Sequence, residues 1–146
     1  MKSVFVDTNV LIYMRDPGEP TKREAARAWV ERLAQRGSIV ISPQVLNEFL
    51  SVSLRRFDET TDEIVTRARF LAAFCKAETT ARTALRALEI REGRMVSWWD
   101  ALLVASALDH GCEMLLSEDL HDGWTIEGLR VLNPFTADIN TVLRDI

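Results

Sequence analysis

In the stretch Val4-Phe5-Val6-Asp7-Thr8-Asn9, three consecutive apolar residues run directly into an aspartate. A short apolar run closed by a turn-favouring acid reads as a buried strand. β-prone runs recur at Ser38–Ile41, Glu113–Leu116 and Leu129–Leu132, which with Ser3–Val6 makes four. Strands separated by segments of helical period imply an α/β fold, with a mostly parallel sheet and helices on both faces.

The intervening segments carry helix signals. Thr21-Lys22-Arg23-Glu24 follows Pro20 and resembles a capping box, and Ala25, Ala28, Trp29 and Leu33 share one face before Gly37. Ser42-Pro43 pairs a cap with proline at the first helical position. Leu46, Phe49, Leu50, Ser53, Leu54 and Phe57 form the stripe that follows, and Glu48 faces away from much of it. Thr60-Thr61-Asp62-Glu63 starts another helix with Ile64, Ala68, Leu71 and Cys75 inward. A further helix begins near Thr79 or Thr80 and runs through Ala84, Leu85 and Leu88 toward Gly93. Ser97-Trp98-Trp99-Asp100 reads as a capping box, and the segment to His110 is apolar on nearly all sides before Gly111, which places that helix in the interior.

Four acids stand out by position. Asp7 ends the first run, Glu48 lies one or two turns into the Ser42 helix, Asp100 opens the apolar helix, and Asp119 follows Met114-Leu115-Leu116. Open parallel sheets place their sites at the carboxyl ends of strands and the helix starts beside them. Each acid also has a structural reading: Asp7 and Asp119 as turn or cap residues, Asp100 as a favourable charge at a helix N-terminus, Glu48 as a solvated helical charge. Clustered carboxylates need a compensating charge, which a hard divalent cation supplies. The sequence contains no evident Ser-His-Asp or Cys-His constellation and no phosphate-cradling glycine loop, so metal-assisted hydrolysis of phosphodiesters fits these residues best.

The 146 residues suit a single domain, and a net charge of -4 argues against holding nucleic acid by bulk positive charge. The basic residues are 15 arginines and only three lysines, which leaves room for a local phosphate-binding surface. Cys75 and Cys112 have no metal-ligand spacing and read as reduced core thiols. The longest apolar stretch, Ala101–Leu108, is too short to span a bilayer, and the N-terminal apolar run is too short for a signal peptide, so a soluble cytoplasmic protein is expected.

Taken together, Val4-Phe5-Val6-Asp7-Thr8-Asn9-Val10-Leu11-Ile12-Tyr13, Ser42-Pro43-Gln44-Val45-Leu46-Asn47-Glu48-Phe49, Ser97-Trp98-Trp99-Asp100-Ala101-Leu102-Leu103-Val104-Ala105-Ser106-Ala107 and Leu115-Leu116-Ser117-Glu118-Asp119-Leu120 closely resemble the PIN-domain ribonucleases, especially toxins of the VapC type. The resemblance spans nearly the whole chain in order and spacing. It implies one PIN domain over residues 1–146, a three-layer α/β/α fold, and Mg²⁺- or Mn²⁺-dependent endoribonuclease activity using metal-activated water. It further implies a homodimer and a VapB-type antitoxin as inhibitor. By motif, Asp7, Glu48, Asp100 and Asp119 look like the catalytic, metal-binding acids, with Asn9 and Ser117 as polar supports and Asp7 and Asp100 as the firmest ligands. Glu118 beside Asp119 leaves a one-residue ambiguity, and Asp122 is a further acid at the rim.

His121 is read as dispensable, His110 as meeting the end of its helix, and at least one of Trp98 and Trp99 as core. Arg15, Arg55 and Arg56 are candidates for substrate phosphate. Two other functions fit the same motifs: a catalytically idle PIN-like module that binds RNA or protein, and a structure-selective DNA nuclease. Turnover separates the first from an enzyme, and parallel assays on RNA and single-stranded DNA separate the second.

Overall fold

The computed structural model describes residues 2–146. By internal contacts the chain divides into two compact units, the first formed by residues up to Ile39 together with Cys112–Ile146, the second by Val40–Gly111. Its strands are β1 (Val4–Val6), β2 (Ile39–Val40), β3 (Met114–Leu116), β4 (Thr125–Ile126) and β5 (Leu129–Leu132). The helices are α1 (Thr8–Tyr13), α2 (Pro20–Gln35), α3 (Pro43–Arg56), α4 (Thr61–Ala72), α5 (Ala81–Gly93), α6 (Trp98–Asp109) and α7 (Ile139–Arg144).

The strands form one sheet in the order β2-β1-β3-β5-β4. β1 pairs with β3 and β3 with β5 in parallel, with Phe5 opposite Leu115 and Leu115 opposite Val131. All residues of β1 and β3 are buried, as expected for central parallel strands that are covered on both faces. The α/β class and mostly parallel sheet are those expected from the sequence.

An additional strand was not anticipated. β4 pairs antiparallel with β5 through the two-residue turn Glu127-Gly128, both with positive φ (47° and 89°). Such a turn matches the twist of its strands, and glycine supplies one of the two positive-φ positions without strain. Thr125-Ile126 is too short to show a period, and Glu127 is not a usual residue for a positive-φ position. Ile41, expected at the end of β2, instead makes an isolated parallel bridge with Cys75.

Most helix starts follow local chemistry. Ser42, Thr60, Thr80 and Ser97 each cap a helix by accepting a backbone N–H, and Thr60 completes a capping box with Glu63. α2 departs from expectation: it starts at Pro20, its cap residue Glu19 makes no side-chain cap bond, and Thr21 lies already inside. Proline's fixed φ suits the first helical position and overrides the weaker Thr21 signal. Two apolar stripes also differ. Leu85 and Leu54 are 66% and 68% exposed, because α5 buries Thr83, Ala87 and Ile90 and α3 buries Val45, Phe49 and Ser53.

α6 buries every residue from Ala101 to Ala107 and closes at Gly111, whose φ of +75° suits a helix C-terminus. Both cysteines are free. Cys112 is buried, and burial pushes its thiol up to about 12, whereas Cys75 is only half-buried and so departs from the core placement expected for it. No helix of the described residues is long and apolar enough to cross a membrane. Truncating Leu115, fully buried in the middle of β3, leaves a cavity between two strand neighbours. Leu115→Ala is expected to lower stability by about 2–5 kcal/mol in urea unfolding.

Candidate active site

The first unit places two acids, Asp7 and Asp119, after the carboxyl ends of β1 and β3, each held by its own hydrogen bonds. From β1 the chain leads to β2 on one side of the sheet order and β3 lies on the other, so this is the point where strand order reverses and α/β sheets open a crevice. The Asp7 backbone N–H donates to Leu116 O at 3.0 Å, the last bond of the ladder. Asp7 then caps α1, with Oδ1 accepting the Thr8 N–H at 2.6 Å. Its other oxygen, Oδ2, accepts the Ser117 hydroxyl at 2.8 Å.

Ser117 is fully buried, and its Oγ also accepts the Leu120 N–H at 3.3 Å, which bends the Ser117–Leu120 loop back on itself. Asn9, two residues beyond Asp7 on α1, donates its side-chain N–H to Asp119 Oδ2. Asp7 is only 6% exposed whereas Asp119 is exposed. These donors are neutral, so they orient the two carboxylates without cancelling their charge. Glu118 turns elsewhere and pairs with Lys22, whose ammonium that contact raises above its ordinary range.

Glu48 and Asp100 belong to the second unit. Asp100 sits in the first turn of α6, where its backbone N–H donates to the Ser97 cap at 3.1 Å and its charge favours the helix N-terminus. On α3, Glu48 Oε1 accepts the Gln44 amide at 3.0 Å. The same Gln44 nitrogen donates to Trp99 O at 3.2 Å, tying α3 to the residue just before Asp100. Both acids are half-buried, and Glu48 lines an open cleft of about 620 Å³ with Gln44, Asn47, Ser51, Thr79 and Trp99. The role of Gln44 was missed in the sequence. Its spacing of four from Glu48 was the available signal.

Other candidates resolve into ordinary structure. Asp122 Oδ1 accepts the Asn133 N–H at 2.9 Å and so holds a loop. His110 is the C-cap of α6, as expected, and His121 is exposed. Trp99 is 61% exposed and Trp98 half-buried. Arg55 and Arg56 end α3 in solvent, and Arg15 is half-buried.

Among the described residues, no group of three or more His, Cys, Asp or Glu side chains is arranged to hold a metal ion. The Asp7–Asp119 group offers only hard carboxylate, hydroxyl and amide donors, with neither thiol nor imidazole. That set fits Mg²⁺ or Mn²⁺, since Mg²⁺ commonly takes one or two protein carboxylates and keeps water for the rest of its shell.

The sequence model of the PIN domain matches residues 4–121. The chain belongs to the PIN-domain family. No curated protein sequence matches it. Solved structures with the same fold include a toxin–antitoxin complex from Klebsiella pneumoniae, 24% identical over 90% of this chain and 98% of that one, with a TM-score of 0.64. FitAcB from Neisseria gonorrhoeae is 18% identical over 92% and 99%, with a TM-score of 0.65. The sarcin–ricin-loop-cleaving toxin VapC20 of Mycobacterium tuberculosis is 20% identical over 80% and 90%, with a TM-score of 0.55. At these identities the likeness is one of fold.

In this PIN domain the Ser117 hydroxyl serves Asp7 and Leu120 at once, so its loss removes a hydrogen bond from each of two buried partners. Ser117→Ala is expected to cost about 1–3 kcal/mol by chemical denaturation. Asp119→Asn, at an exposed position, should change stability by less than about 0.5 kcal/mol.

Proposed function

We propose that this PIN domain is a divalent-metal-dependent endoribonuclease, the toxin of a toxin–antitoxin pair, with Asp7, Glu48, Asp100 and Asp119 as its functional acids. The observation that carries the reading is Asp7. A carboxylate buried at the point where strand order reverses, oriented by neutral donors and linked through α1 to a second carboxylate, is costly for folding and suited to a cation. Membership of the PIN family and the fold shared with toxin–antitoxin complexes and with a toxin that cleaves the sarcin–ricin loop support the same reading.

A bound Mg²⁺ or Mn²⁺ would activate water and neutralise charge on the phosphodiester. Asp7, Glu48, Asp100 and Asp119 are the residues assigned to metal binding, directly or through water. Ser117 and Asn9 hold Asp7 and Asp119 in register, and Gln44 holds Glu48. These supports fix where the carboxylate oxygens stand before any ligand arrives, which lowers the ordering cost of binding. The protein is further proposed to act in the cytoplasm as a homodimer, inhibited by a VapB-type antitoxin that masks acidic charge as well as blocking access.

Incubation of total cellular RNA with the purified chain, with and without Mg²⁺ or Mn²⁺, tests the proposal. Cleavage at defined positions that needs the metal is expected, and Asp7→Ala and Asp100→Asn should each lower its rate about 100-fold or more while circular dichroism stays unchanged. Cleavage that persists in both variants removes the proposed acids. Cutting of single-stranded DNA in preference to RNA reassigns the substrate, and an absence of turnover on either points to a binding module.

A further inference from the structure

The loop Ser117-Glu118-Asp119-Leu120 presents two adjacent carboxylates that differ by one methylene, yet only one of them meets Asn9. A separate contact occupies the other. Lys22, in the first turns of α2, places its ammonium against Glu118 Oε1 and 3.4 Å from the Tyr13 hydroxyl. The same ammonium lies 4.8 Å from the centre of the Tyr13 ring and 5.4 Å from that of Phe135. Those two rings pack edge to face, with centroids 5.1 Å apart and planes at 82°. Lys22 is thus seated against two aromatic rings as well as the loop, an arrangement that favours a cation.

We propose that Lys22 is a positioning residue for Asp119: seated by Tyr13 and Phe135, it holds the Glu118 carboxylate and so anchors the loop that presents Asp119 to the Asn9 amide. Ser117 bends the loop, and the Asn9–Asp119 and Lys22–Glu118 contacts tie it to α1 and α2. A lysine suits the position better than one of the many arginines, because a compact point charge can lie near both rings at once while a guanidinium fork prefers to stack flat on one. The positioning role stands on these contacts alone. Its functional consequence, that Lys22 sets the metal affinity of the acid pair, rests on the function proposed above.

The experiment uses the full chain, free of metal, and follows the side-chain amide of Asn9 by ¹⁵N NMR in Lys22→Met, Glu118→Gln and Lys22→Arg. Solvent exchange of that amide is expected to accelerate about 10-fold in Lys22→Met and in Glu118→Gln, which removes the same contact from the loop side if the first variant folds poorly. In Lys22→Arg, which keeps the charge, exchange should stay near that of the unsubstituted chain. Mn²⁺ affinity measured by calorimetry should fall about 10-fold in the first two variants. An Asn9 amide unchanged in both overturns the positioning role, and an unchanged Mn²⁺ affinity with a freed Asn9 overturns its functional consequence. If the unsubstituted chain binds no Mn²⁺, the metal reading fails, and the Asn9 amide still decides the role of Lys22.

Discussion

The hydrogen bond from Ser117 to Asp7 ties together the parts of the first unit that matter for chemistry. Asp7 leaves β1 and Ser117 leaves β3, two neighbouring parallel strands, so their contact closes the sheet at its carboxyl end. Without that hydroxyl a carboxylate only 6% exposed would lose a donor in a place where water is largely excluded. The same oxygen shapes the loop that carries Glu118 and Asp119. One buried serine therefore couples strand pairing, the start of α1 and the placement of two further acids. Burying polar groups in this way raises the penalty for any partial loss, which makes the corner rigid.

Much of this was legible before the structure. Val4–Val6 and Met114–Leu116 announce themselves because fully buried parallel strands read as unbroken apolar runs. Caps at Ser42, Thr60 and Ser97 were readable since capping is decided by residues within one turn of each other. The turn at Glu127-Gly128, the exposure of Leu54 and Leu85 and the start of α2 at Pro20 were not. Each depends on what packs against a segment or on a competition between two weak local signals. At the site, Asp7, Ser117, Asn9 and Asp119 were named from motif context, and the structure joins Ser117 to Asp7 and Asn9 to Asp119 by hydrogen bonds. Lys22 escaped notice because its partner lies 96 positions away in the chain, whereas the Gln44–Glu48 spacing of four was legible and passed over.

The proposed action of an acidic protein on RNA requires an explanation in charge. The chain carries a net charge of -4, and two of its carboxylates stand at the switch point of the sheet, one buried and one exposed, held by neutral donors. In the proposed mechanism these acids gather a cation, and the cation meets the phosphate. Everything in that mechanism turns on Asp7 being a metal ligand and not merely the cap of α1. Anomalous diffraction from crystals grown with Mn²⁺ tests it directly. A manganese peak bonded to an Asp7 carboxylate oxygen and lost in Asp7→Asn is the expected result; a peak that avoids Asp7, or survives its replacement, contradicts the mechanism.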